Sequence, residues 1–187
     1  MGLGVWNRFL GVLENKRGGR IVACGSRIQS PKGGFLLIVN RDRLGEHSLP
    51  LYNEVERGSI RRFAQALGVT DPISLFVEAA HQDGYRDLVA PPTYVVTLVP
   101  SILPGLELPK AGVLHGEQSF DWGEPICAGD VIEVQGWLDD VKTRSRREGT
   151  MTILTVVSEG YNQLQQFVFR AKAVLIVTEE VHHVESR

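Results

Sequence analysis

Cysteine is nearly absent from this 187-residue sequence: Cys24 and Cys127 are the only two, with no Cys-x-x-Cys spacing, so they cannot build a disulfide framework or a zinc site. That usage fits a reducing cytosol. Long apolar runs are missing as well, since nothing approaches the roughly 18 residues that a membrane helix needs. The opening MGLGVWNRF has no secretory apolar core, and its sixth residue, Trp6, is not the Ser or Thr of a myristoylation motif. The chain is expected to be neither membrane-spanning nor exported. A net charge of −2 gives no electrostatic case for binding nucleic acid. GxSxG, HExxH, a Walker loop and GxGxxG are all absent, which removes the commonest hydrolase, zinc-protease and nucleotide-binding signatures. No cofactor and no metal are expected.

What is present describes one globular unit with an added segment. At 43% hydrophobic and 22% charged residues, the chain can bury a sizeable core. Residues 1–37 differ from the rest: six basic residues (Arg8, Lys16, Arg17, Arg20, Arg27 and Lys32) face the single acid Glu14, leaving the other 150 residues at −7. Eight of the 20 glycines also fall there, and the pairs Gly18-Gly19 and Gly33-Gly34 oppose regular structure. Residues 1–37 are therefore expected to be a flexible extension, and 38–187 a single domain. A targeting segment, a basic arm and an anchor around Trp6, Phe9 and Leu10 are the functional alternatives for the extension.

From Phe35 the texture changes. FLLIVN (35–40) is a short apolar run. NEVERGSIRRFAQALG places Ile60, Phe63, Ala64 and Leu67 on one helical face and stops at Gly68. DPISLFVEAAHQDGY reads as a turn at Asp71-Pro72 followed by a short helix that closes at Gly84. In APPTYVVTLVPSIL the double proline marks a helix entrance, and Tyr94, Val95, Leu98, Val99 and Ile102 predict a helix apolar on all sides, which must be buried. The second half is rich in Val, Ile, Phe and Thr. There VLHGEQSFDW, DVIEVQGWL, TMTILTVVSE and LQQFVFRAKAVLIV are predicted strands, joined by EPICAG, DDVKTRSRREG and GYNQ. Helices first and hairpin-linked strands afterwards predict an α+β fold, an antiparallel sheet with one apolar helix lying against it.

Four segments, VERGSIRRFAQALG (55–68), DGYRDLVAPPTY (83–94), LHGEQSFDW (114–122) and PICAGDVIEVQGWLDDV (125–141), together resemble the MaoC-like dehydratases in their N-terminal, or FAS1-like, branch. The resemblance covers about residues 38–187 and implies the hotdog fold, in which a sheet wraps a central apolar helix. Active members hydrate trans-2-enoyl thioesters, or dehydrate (3R)-hydroxyacyl thioesters, carried on CoA or acyl carrier protein. That chemistry needs a carboxylate and an imidazole around one water, and a backbone N–H aimed at the thioester oxygen. The family motif Gly-Asp-x-Asn-Pro-Leu-His falls here on Gly68, Val69, Thr70, Asp71, Pro72, Ile73 and Ser74. The aspartate position thus holds Val69 and the histidine position holds Ser74. The downstream His-Gly pair falls on Pro91 and Pro92, and a proline has no N–H to offer an oxyanion.

No catalytic residue of the family type is therefore expected in this chain. The resemblance implies a cytoplasmic, non-catalytic subunit that joins a catalytic MaoC-like hotdog partner in an oligomer, with an acyl-CoA or carrier-protein thioester as ligand. Substrate contacts are expected at Pro91, Pro92, Thr93 and Tyr94. A second set, Lys142, Arg144, Arg146 and Arg147 of KTRSRR, would dock phosphates or an acidic carrier surface, its plainer reading being a solvated strand connection. The alternatives are a self-sufficient homodimeric hydratase or thioesterase, or an acyl-thioester binding module. The former would draw on Asp71, His81, or His115 with Glu117, whose spacing on a regular strand puts both side chains on one face. The plainer readings are an N-cap for Asp71, a surface residue for His81 and a strand-end pair for His115 and Glu117.

Overall fold

The protein is described here by a computed structural model covering residues 37–146 and 149–180. In chain order, β1 (Ile38–Val39) and β2 (Leu51–Glu54) precede α1 (Arg57–Leu67) and α2 (Val77–Gln82). Then come β3 (Leu106–Glu107), β4 (Val113–Trp122), β5 (Val131–Arg146), β6 (Gly149–Tyr161) and β7 (Phe167–Glu180). Single 3-10 turns occupy Arg41–Arg43, Pro72–Ser74 and Pro92–Thr97. Five strands form an antiparallel sheet in the order β2-β5-β6-β7-β4, which is the α+β architecture expected from the order of the sequence patterns.

Alternation explains the sheet's inner face. Ile132, Val134 and Leu138 on β5 are wholly buried, while Glu133, Gln135 and Trp137, on the other face, are partly exposed. Phe169 on β7 is also wholly buried and lies against Gly160, its cross-strand partner, where any side chain would overlap the ring. α1 presents Ile60 and Phe63 to this end of the sheet, joining Leu88, Tyr94 and Val95 in one core cluster. It ends at left-handed Gly68 (φ 69°), whose N–H and that of Val69 bond to Gln65 and Ala64 carbonyls. Leu67, predicted on the buried face, is 54% exposed, because this last helical residue lies beyond the contact with the sheet.

A second cluster, built on Leu106, Leu138, Val141, Leu154 and Val177, fills the other end. The FLLIVN run supplies its cover: β1 pairs with β3 in a two-stranded sheet, and Leu37 and Val39 pack on the cluster. Residues 1–36, with most of the expected extension and Cys24, lie outside the described residues.

Two elements differ from expectation. The long apolar helix predicted from Pro91 is a six-residue 3-10 turn, and the chain is extended from Leu98. Val95, Val96, Thr97 and Val99 are β-branched and lose side-chain freedom in a helix. The Thr97 hydroxyl bonds back to the Tyr94 carbonyl (2.8 Å), and Pro100 biases Val99 away from helical backbone. Nor is the segment buried on all sides, since Val96 is 47% and Ile102 71% exposed. The second difference is KTRSRR, read as a strand connection: β5 continues through it to Arg146, with Lys142 opposite Ile153 and Arg144 opposite Met151. Long basic side chains can lay apolar stems along such neighbours while keeping their charge in water, so a polar string can still be a strand.

Candidate functional site

The positions on which the family's catalytic motif is expected to fall lie where three segments are stitched together. Leu88–Ala90 runs between the 3-10 turn at Pro72–Ser74 and the segment Ile126–Ala128. Val89 N–H donates to the Ile73 carbonyl (3.0 Å), Ala90 N–H to Ile126 (2.8 Å), and Ala128 N–H to Leu88 (2.9 Å). Ser74, at the histidine position, is 3% exposed and its hydroxyl donates to the Val89 carbonyl at 2.7 Å. Val69, at the aspartate position, is a half-buried apolar residue closing the end of α1. Pro91 is buried and accepts the Tyr94 N–H (2.8 Å), while Pro92 is exposed at the first position of its 3-10 turn. None of Val69, Ser74 and Pro92 carries a side chain able to transfer a proton in this chemistry.

The possible substitutes are scattered. Asp71 caps the turn Pro72–Ser74 by accepting the Ile73 N–H (3.2 Å). His81 on α2 contacts the Arg86 carbonyl through Nε2 (3.0 Å). His115 and Glu117 do not share a face, contrary to the spacing argument. A bulge at Gly116 pairs His115 with Leu175 but Glu117 with Val174, adjacent residues of β7 that point to opposite sides. β4 is an edge of the sheet with no strand beyond it among the described residues, and Leu114 and Trp122 on it are exposed.

A groove of about 320 Å³ opens between α1 and the Pro92–Thr97 turn, lined by Ser59, Arg62, Phe63, Tyr94 and Thr97. Phe63 and Tyr94 meet edge to face, ring centres 5.4 Å apart. The Ser59 and Tyr94 hydroxyls are 2.7 Å apart, and Ser59 also donates to the Glu56 carbonyl (2.7 Å). Of the expected substrate contacts, Tyr94 thus lines a cavity. No sequence pattern singles out Ser59, Arg62 and Thr97, which reach it only through tertiary packing. The two expected contact sets are not brought together. Ten residues of strand separate Val134, in the same cluster as Tyr94, from Arg144, a span of up to about 33 Å. Lys142 is paired with Asp140 (2.7 Å), Arg144 is exposed, and the side chains of Arg146 and Arg147 lie outside the described residues.

Two charged clasps hold the surroundings. Asp130, 1% exposed, pairs with Arg86, accepts the Cys127 N–H (2.8 Å) and the Gln163 side-chain amide (3.0 Å), and so fixes the turn before β5. Burial raises the Cys127 thiol above its usual range, against the pull of the nearby Arg86 guanidinium, so the thiol stays protonated and inert. Arg57 at the start of α1 makes a forked ion pair with Asp87 (2.6 Å), and those hydrogen bonds hold the Asp87 carboxyl below the usual carboxylate range.

The family model for the FAS1-like dehydratase domain region matches residues 43–171. A UPF0336 protein of Thermobifida fusca (strain YX) is 34% identical over 150 residues, covering 75% of this chain and 95% of that protein. Among solved structures, the ChsH1–ChsH2 complex of Mycobacterium tuberculosis superposes with a TM-score of 0.59 at 16% identity, over 74% of this chain and 88% of that one. The C-terminally truncated HadBC (3R-hydroxyacyl-ACP dehydratase) complex of the same organism gives 0.55 at 23%, over 80% and 99%. The MaoC-like dehydratase of Rhodospirillum rubrum gives 0.55 at 21%, over 74% and 94%. These likenesses place the fold among hotdog dehydratases. Among the described residues, no helix is long and apolar enough to cross a membrane.

Proposed function

Because the chain belongs to the FAS1-like dehydratase family, a branch of the MaoC-like hotdog dehydratases and hydratases, we propose that it is a non-catalytic subunit of a (3R)-hydroxyacyl-thioester dehydratase or enoyl-thioester hydratase. It acts in the cytoplasm beside a hotdog partner that carries the Asp and His. The observation that carries this reading is Ser74: the histidine position holds a buried hydroxyl committed to the Val89 carbonyl. With Val69 at the aspartate position and Pro92 at the amide position, three parts of the machine are absent together. Losing an oxyanion donor alone costs about 10²- to 10³-fold in rate, and losing a general acid or base a further 10²-fold or more, roughly.

Geometry supports the partner as well. The open edge of β4, with Leu114 and Trp122, and the uncovered Val96 and Ile102 are surfaces that a second hotdog sheet would cover. The opposite-face placement of His115 and Glu117 weighs against the self-sufficient enzyme.

The test is to assay hydration of crotonyl-CoA by the chain alone, by a MaoC-like hotdog protein of the same organism with an intact Gly-Asp-x-Asn-Pro-x-His motif, and by the two together. The chain alone is expected to be inactive, and its addition to raise the partner's turnover or melting temperature. Efficient hydration by the isolated chain would overturn the reading.

A further inference from the structure

The groove between α1 and the Pro92–Thr97 turn has its hydrogen-bond donors almost entirely spent. Ser59 gives its one hydroxyl proton to the Glu56 carbonyl, so in the 2.7 Å contact with Tyr94 the phenol is the donor. Thr97 gives its proton to the Tyr94 carbonyl. Three hydroxyls line the groove, yet all three face a ligand as acceptors. Arg62 is the opposite case: it has no ion-pair partner and no hydrogen bond among the described residues, and its guanidinium carries up to five unspent N–H donors. Its Nη1 lies back over Gly58 of the same helix, 3.1 Å from where a Cβ would stand. A ligand that fits must bring an acceptor, best an anion, to Arg62, and N–H or apolar groups to the hydroxyl and ring wall.

We propose that Arg62 is the anion contact of this groove and receives a phosphoryl group at the end of the pantetheine arm, whose amides can donate to the Tyr94 and Ser59 oxygens. The assignment rests on the thioester reading above and names the residue that distinguishes a phosphorylated carrier arm from a bare one. It also moves the phosphate contact from the KTRSRR strand to α1.

The experiment is a binding titration of the full chain with three saturated ligands that cannot be hydrated: butyryl-pantetheine, butyryl-4′-phosphopantetheine and butyryl-CoA. The wild type is expected to bind the phosphorylated ligands about tenfold more tightly than butyryl-pantetheine. Arg62→Ala should abolish that difference without changing the affinity for butyryl-pantetheine or the melting temperature, and Arg62→Lys should keep part of it. A difference shared by both phosphorylated ligands supports the contact with the phosphate of the arm, and one confined to butyryl-CoA assigns the nucleotide phosphates and overturns it. Equal affinity of the wild type for all three, or a difference that survives Arg62→Ala and disappears in Arg144→Ala, overturns it while leaving the thioester reading in place. Failure of the wild type to bind any of them overturns the contact, while the subunit reading is decided by the hydration assay with the partner.

Discussion

The Ser74 side chain is held by one bond: its hydroxyl donates to the carbonyl of the buried Val89. Ser74→Ala removes that donor and is expected to cost about 1–3 kcal/mol. Ser74→His, the substitution that would restore the family histidine, forces a ring into a filled site and should cost at least as much. Urea denaturation of both variants checks this, and wild-type midpoints would refute the clip. Combining Ser74→His with Val69→Asp should therefore lose folded protein before it gains activity. At this scale the sequence was informative where chemistry is local. Asp71 beside Pro72 could be read as a cap, and a capping carboxylate it is. His115 and Glu117 could not, because the bulge at Gly116 depends on how β4 meets β7. A glycine inside a strand pattern was the one available warning.

Between elements, the forked pair of Arg57 and Asp87 ties the start of α1 to the segment that leads into Leu88–Ala90. Arg57 holds the Asp87 carboxyl low, so the ionised form is favoured in the folded state. The contribution is present above the unfolded carboxylate value of about 3.9 and is lost as pH falls from there through the folded value. Melting temperatures measured between pH 7 and pH 3 should fall more steeply for the wild type than for Asp87→Asn, which has no such proton to take up. Parallel curves would show that the pair contributes nothing. Elements were legible where period and stop signal agreed, as in α1, whose Ile60 and Ala64 are wholly buried and whose end is Gly68. The segment after Pro91 failed because apolar content was read as helix while its β-branched residues and Pro100 favour extended backbone. KTRSRR failed for the converse reason: charge was read as loop, although alternation along a paired strand tolerates it.

Over the whole molecule, the antiparallel sheet was foreseeable from four hairpin-linked strand patterns, but the groove was not. Ser59 and Tyr94 are 35 residues apart, and Arg86 and Asp130 are 44 apart, distances over which one sequence carries no pairing signal. The stitched strip Leu88–Ala90 also has a meaning in time. Its bonds join Ile73 to Val89 and Ala90 to Ile126, so the two halves of the chain close around it. Segments that bind or react are commonly drawn from the least protected parts of a protein, those whose amides trade hydrogen for deuterium through small local openings. Here the amides of Val89, Ala90 and Ala128 are each bonded within a buried strip, and they should exchange as slowly as the central amides of β5 and β6, through global unfolding alone. Deuterium uptake at those three positions as fast as at the exposed Gln163 would contradict this. On the proposed non-catalytic reading, the place that would have needed to breathe becomes one of the last to open.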